Sequence, residues 1–261
     1  MTMRGWGLAL AAVAAFGASS SAMAKQGVIA SVNWPGSAWR LTATQGPDVP
    51  DPVMDGDPIP GVIRLCLSKD GGRHCSPALP DLLAISADIS ANKDDIYSEA
   101  HDLHDARIVY PREGRPLLLV KVSSVRSVDG DQRVGFAALG YDKAKDGFTL
   151  AYRANTGHNN NQEIRYIESG PLRGAIIRAE PTSNAPFGFW ITVSKLGPTG
   201  TYVQALRYRS ATRYGDGNPL AVIDSEMPNL MGRLGLWHAG QKLPAPAKCA
   251  NPHLKAQALW C

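Results

Sequence analysis

From residue 107 to residue 208 the hydrophobic pattern of this chain changes every eight to twelve residues or so, and a turn signal stands at most of the changes. Residues 117–125 form a nearly continuous apolar run, as expected for a strand buried on both faces. Asp129-Gly130-Asp131 leads into 133–141, and Asp146-Gly147 opens 148–152. Strict alternation there puts Phe148, Leu150 and Tyr152 on one face. Shorter strands are expected at 162–167 and 174–179, separated by Gly170-Pro171. Phe187, Phe189, Ile191 and Val193 alternate along the next strand. Gly197-Pro198-Thr199-Gly200 then turns the chain into 202–208, where alternation sets Tyr202, Leu206 and Tyr208 on one side. A series of this kind predicts an all-β fold, mostly an antiparallel meander: a sandwich, a barrel or a small propeller-like arrangement of sheets.

The flanks are read less directly. Residues 27–32, 39–43 and 62–68 have strand patterns, while 45–60 carry five prolines and are expected to be mostly loop. Residues 80–105 read equally as a strand at 83–89 or a helix further on. Beyond Asn218, Met227, Leu230, Met231 and Leu234 recur at helical spacing, so one or two short helices are expected near the C-terminus. Asp224 or Ser225 would cap that helix at its start and Gly235 would end it.

The first 24 residues have the form of a secretory leader: Arg4, an apolar stretch over 6–16, and the small-x-small site Ala22-Met23-Ala24. That stretch falls short of the ~20 apolar residues a membrane-spanning helix needs, and no longer one exists. The expected product is a single all-β domain over 25–261, periplasmic or secreted. All four cysteines lie in it, and an even count in an oxidising compartment favours two disulfides over a metal or redox site. If Asp70-Gly71 makes a two-residue hairpin, counting outward from it brings Cys66 opposite Cys75, with Cα atoms about 4.5 Å apart. Cys249–Cys261 follows by elimination and would staple a Pro-rich tail over 240–261.

Composition narrows the function classes. The chain is 44% apolar and 19% charged, a globular balance, and losing Arg4 takes the formal net charge from +4 to +3. So small a charge does not imply nucleic acid. Arginines gather at Arg153, Arg165, Arg173, Arg178, Arg207, Arg209 and Arg213, which solvent-facing strand positions would explain. No nucleophile elbow, zinc-protease motif, phosphate loop or dinucleotide fingerprint occurs, and no cofactor is implied.

Three stretches remain as candidates. His101 and His104 would share one face of a helix and could hold a metal ion there. His158-Asn159-Asn160-Asn161-Gln162-Glu163, followed by Arg165, offers amides, a carboxylate and a guanidinium suited to sugar hydroxyls or a peptide backbone. Arg213-Tyr214-Gly215-Asp216, with Asp224 and Glu226 behind, offers a second ligand loop. Its carboxylates, together with Glu163 and His158, are acid–base candidates for polysaccharide hydrolysis. The alternation Arg207-Tyr208-Arg209 could grip anionic groups or stack on sugars. The expectation is a non-catalytic binding or structural module of the cell envelope, contacting a glycan, peptide or envelope protein; the alternative is an envelope polysaccharide hydrolase.

Overall fold

The computed structural model describes residues 27–53, 56–84, 97–128, 132–156, 163–182, 188–210 and 219–243. The expected leader, the second disulfide and the tail beyond residue 243 lie outside them. The chain is built from eleven antiparallel strands in three sheets, with a single α-helix among the described residues. The first sheet holds β1 (Gly27–Asn33), β2 (Arg40–Gln45) and β3 (Ile63–Ser68). The second is the meander β4 (Asp102–Arg112), β5 (Arg115–Ser123), β6 (Val134–Asp142) and β7 (Gly147–Asn155). The third is the meander β8 (Glu163–Tyr166), β9 (Ile176–Pro181), β10 (Phe189–Leu196) and β11 (Tyr202–Ser210), followed by α1 (Pro219–Arg233).

The alternation of buried residues shows how these layers stack. On β5, Leu118, Val120 and Val122 join Leu41 and Leu67 of the first sheet in one apolar cluster. Leu117 and Leu119, on the opposite face, join Ile164, Tyr166 and Ile176 of the third. The other face of the third sheet, with Ile177, Ala179, Ile191 and Val193, packs against Val222, Ile223, Met227 and Leu230 of α1. The order is first sheet, second sheet, third sheet, helix, so the run at 117–125 is apolar because both its faces are covered. The described strands form no closed barrel.

Close backbone approaches fix the stack. A side chain at Gly135 of β6 would meet the Leu82 carbonyl at 2.4 Å, so the segment before residue 85 lies directly on that strand. His101 stitches the first two sheets together. Its N–H donates to the Ser123 carbonyl, its ring Nδ1 lies 2.7 Å from the Pro60 carbonyl, and Gln45 donates to its own carbonyl.

Several expectations need correction. A bulge at Ala151 shifts the β6–β7 register, so Tyr152 packs toward the third sheet while Phe148 faces the first, and Leu150 is exposed. A bulge at Ala205 likewise separates Tyr202 from Leu206 and Tyr208. The expected Cys66–Cys75 disulfide is present, with Cα atoms 5.1 Å apart, but no two-residue hairpin creates it. The chain leaves β3 at Ser68 and loops widely: Asp70 Oδ1 accepts from the N–H groups of Arg73 and His74, and the Leu67 carbonyl accepts from Ser76. Helix α1 begins at Pro219, well before the expected caps. Its end is as expected, with Gly235 at φ 68 and the Leu236 N–H closing onto the Met231 carbonyl.

Candidate functional site

Three of the sequence candidates that fall on described residues, Arg165, Asp224 and Glu226, lie between the third sheet and α1, where neighbouring side chains take them up. Arg165, on the helix-facing side of β8, is 1% exposed, and its Nη1 donates to Asp224 Oδ1 at 2.6 Å. This overturns both the capping role for Asp224 and the solvent-facing role for Arg165. Pro228 stands four residues after Asp224 and has no N–H for its carbonyl, so the helix is locally open at the residue that meets the guanidinium. Glu226 is equally committed. The Tyr208 hydroxyl and Asn229 Nδ2 donate to its Oε2 at 2.7 and 2.9 Å, and the Ser210 hydroxyl donates to Oε1. The Arg233 guanidinium lies 4.4 Å over the Tyr208 ring. Tyr208 therefore points inward, away from Arg207 and Arg209.

Glu163 receives Lys121 Nζ at 2.9 Å, and the same ammonium donates to the Ile164 carbonyl, which ties β5 to β8. Nearby, Arg107 bridges Asp105 at 2.9 Å and Glu168 at 2.6 Å. Burial raises the Asp105 pKa against the pull of Arg107. Burial also pushes the Tyr166 hydroxyl up to about 12. These groups pair with their neighbours at a sheet-to-sheet seam, and none of the three described hydrolytic candidates, Glu163, Asp224 and Glu226, is exposed. His158, Asn159, Asn160, Asn161, Gln162, Arg213, Tyr214 and Asp216 lie outside the described residues. Their flanking strand ends, Glu163 of β8 and Ser210 of β11, sit at the same end of the third sheet.

The paired histidines are not on a helix. His104 is on β4, beside a bulge, with Nε2 2.7 Å from the Ser123 hydroxyl, while His101 reaches Pro60. Among the described residues no group of three potential ligands is arranged to hold a metal ion, and no helix is long and apolar enough to cross a membrane.

An open site lies at the opposite end of the third sheet. The nine residues of β11, at ~3.4 Å each, set the two ends roughly 27 Å apart. Three hairpin turns, β4–β5, β6–β7 and β10–β11, meet there around a cavity of about 590 Å³. Trp34 and Tyr141 form its aromatic wall, Thr149 and Thr201 supply hydroxyls, and Arg115 and Lys143 supply charge. Both cations are exposed, and neither makes an ion pair among the described residues. The volume is that of a small-molecule site.

The walls of this pocket are tied down. Arg112 Nη2 donates to the Leu196 carbonyl, joining the β4–β5 and β10–β11 ends. Trp34 packs edge-on to Phe148 at 5.0 Å and lies 5.7 Å from Tyr141. Asp146, held at φ 46 in the β6–β7 turn, collects Trp39 Nε1 at 3.0 Å, the Tyr141 hydroxyl at 2.7 Å and Lys69 Nζ at 2.5 Å. The Lys69 hydrogen bond, followed by those from Tyr141 and Trp39, lowers its pKa to about 2. Sequence reading missed this site because its lining comes from turns far apart in the chain. The aromatic residues flanking the Asp146-Gly147 turn were its one local trace.

No family model matches this chain, and no match was found among curated proteins or solved structures.

Proposed function

We propose that this protein is a non-catalytic binding module that works outside the cytoplasm, in the periplasm or the medium, and holds part of an envelope glycan or peptide in the pocket beside Trp34 and Tyr141. One contrast carries the reading. The three described hydrolytic candidates, Glu163, Asp224 and Glu226, are buried against their own donors, whereas the open cavity offers aromatic surface, hydroxyls and uncommitted cations beside Asp142. A general acid or base must reach the proton it transfers. Binding needs only a preformed concave surface with a few placed polar groups. The leader-like start and the Cys66–Cys75 bond support export.

The test is titration of defined envelope oligosaccharides and peptides against the full chain and two variants. Replacing both Arg115 and Lys143 by Ala should weaken binding about a hundredfold or more, since each charge-assisted bond lost is worth ~1.5–3 kcal/mol, with stability within ~0.5 kcal/mol of the parent. The double variant Asn160→Ala with Asn161→Ala should bind as the parent does. The reverse pattern would move the site to the amide loop, and turnover of any oligosaccharide would replace binding by hydrolysis.

A further inference from the structure

The side of the third sheet that faces away from α1 is only partly covered by the second sheet. Coverage reaches as far as Tyr152, whose hydroxyl bonds to Ser194 and whose ring stands 5.5 Å from that of Tyr202. Past that point the register sets Arg178, Thr192 and Arg207 abreast on β9, β10 and β11, with Glu180, Trp190 and Arg209 abreast one step further on. Directly opposed residues in an antiparallel ladder share a face, so these six side chains form one strip.

Three features mark the strip as built for a ligand. The Arg207 guanidinium lies 4.7 Å over the Trp190 ring and has no carboxylate partner among the described residues. Stacking occupies the face of a guanidinium and leaves its in-plane N–H groups for an anion. Trp190 itself is 38% exposed, a large indole left uncovered on a sheet. Between Arg178 and Arg207, Thr192 is 7% exposed and its Oγ1 has no hydrogen-bond partner. Buried hydroxyls almost always find one. Arg178 Nε approaches Glu180 Oε2 at 2.9 Å but is not aligned to donate to it, so that pair does not use up the guanidinium.

We infer that this strip is a second binding site, separate from the pocket, for an acidic saccharide. The anionic group sits between Arg178 and Arg207 and accepts a hydrogen bond from Thr192, while the pyranose ring lies against the uncovered part of Trp190. The formal net charge of +4 and the short length of the strip fit a single acidic sugar better than a nucleic-acid backbone, which needs an extended basic track.

The experiment is calorimetric titration of the full chain with trigalacturonate, with maltotriose as the neutral arm and inorganic sulfate as the free-anion arm. Trigalacturonate is expected to saturate the protein and to lose affinity as salt is raised. Arg207→Gln and Thr192→Val should each weaken it about tenfold, and Trp190→Ala should abolish its advantage over sulfate. With the pocket's cations removed by Arg115→Ala and Lys143→Ala, the component that depends on Arg207 and Thr192 should persist, so either site can fail without the other. Urea midpoints of the strip variants confirm that they are folded. Equal binding of maltotriose would overturn the anionic class. Sulfate binding as tight as trigalacturonate and indifferent to Trp190→Ala would reduce the strip to a simple anion site and overturn the saccharide. Absence of binding, or parent-like binding by both Arg207→Gln and Thr192→Val, would overturn the site itself.

Discussion

Beneath α1, Arg165, Asp224, Glu226, Tyr208 and Ser210 are buried and bonded to one another, while in the pocket Arg115 and Lys143 stand in water with no acidic partner among the described residues. The two regions draw on similar side chains. In the first the charges hold two layers together and are taken up by the partners they already have. In the second the charges are at the disposal of something outside. Residue identity therefore does not distinguish framework from site in this chain; commitment does. The candidates picked for their chemistry that fall among the described residues belong mostly to the framework.

The comparison is open to direct attack. The largest effect is expected from Arg165→Ala, which strands the Asp224 carboxylate in the core. Breaking a buried pair from one side costs about 3–5 kcal/mol, read as a lower urea midpoint with an unchanged slope. A loss under ~1 kcal/mol would mean that Arg165 is not structural and would return it to the list of ligand contacts. The loop closed by Cys66–Cys75 supplies an intermediate case, a surface region held by a covalent bond. Cys66→Ser together with Cys75→Ser should cost about 2–3 kcal/mol for a loop of this length, and reducing agent should reproduce the loss.

The smallest effect is expected at Asp146, exposed in the β6–β7 turn behind the pocket's Tyr141. Its folded pKa, about 2, lies below the ordinary 3.8, so its contribution is complete above pH 3.8 and is lost as the pH falls through the folded value. Asp146→Asn should lower the urea midpoint slightly at neutral pH and flatten its fall between pH 4 and pH 2. A variant with the parent's full acid sensitivity would show that the three donors do not stabilise the turn.

Much of the fold was legible because it is written locally. The alternation of Phe189, Ile191 and Val193, the doubly buried run on β5 and the glycine ending α1 each depend on residues a few positions apart. Faces were lost wherever a bulge intervened, since one extra residue at Ala151 or Ala205 inverts every side chain beyond it without disturbing the apolar count. Asp224 was misread for a related reason. A short acidic residue near a helix start has the composition of a cap, and only the fold brings Arg165 to it from 59 residues away. His101 and His104 were placed on a helix that the strand β4 replaces. The pocket was hidden because three turns distant in the chain make it, and the strip because Arg178, Thr192 and Arg207 belong to different strands.

The serial stacking of layers has a consequence for how this molecule comes apart. Each layer has contacts only above and below, so disruption has two outer entry points, the helix and the β1–β3 sheet. Departure of the helix uncovers one face of the β8–β11 sheet and leaves the interior intact, whereas departure of the β1–β3 sheet bares β5 and β6 on one side while the other stays clothed. Amide protons on those two central strands should thus be the last to exchange with solvent, and those of α1 among the first.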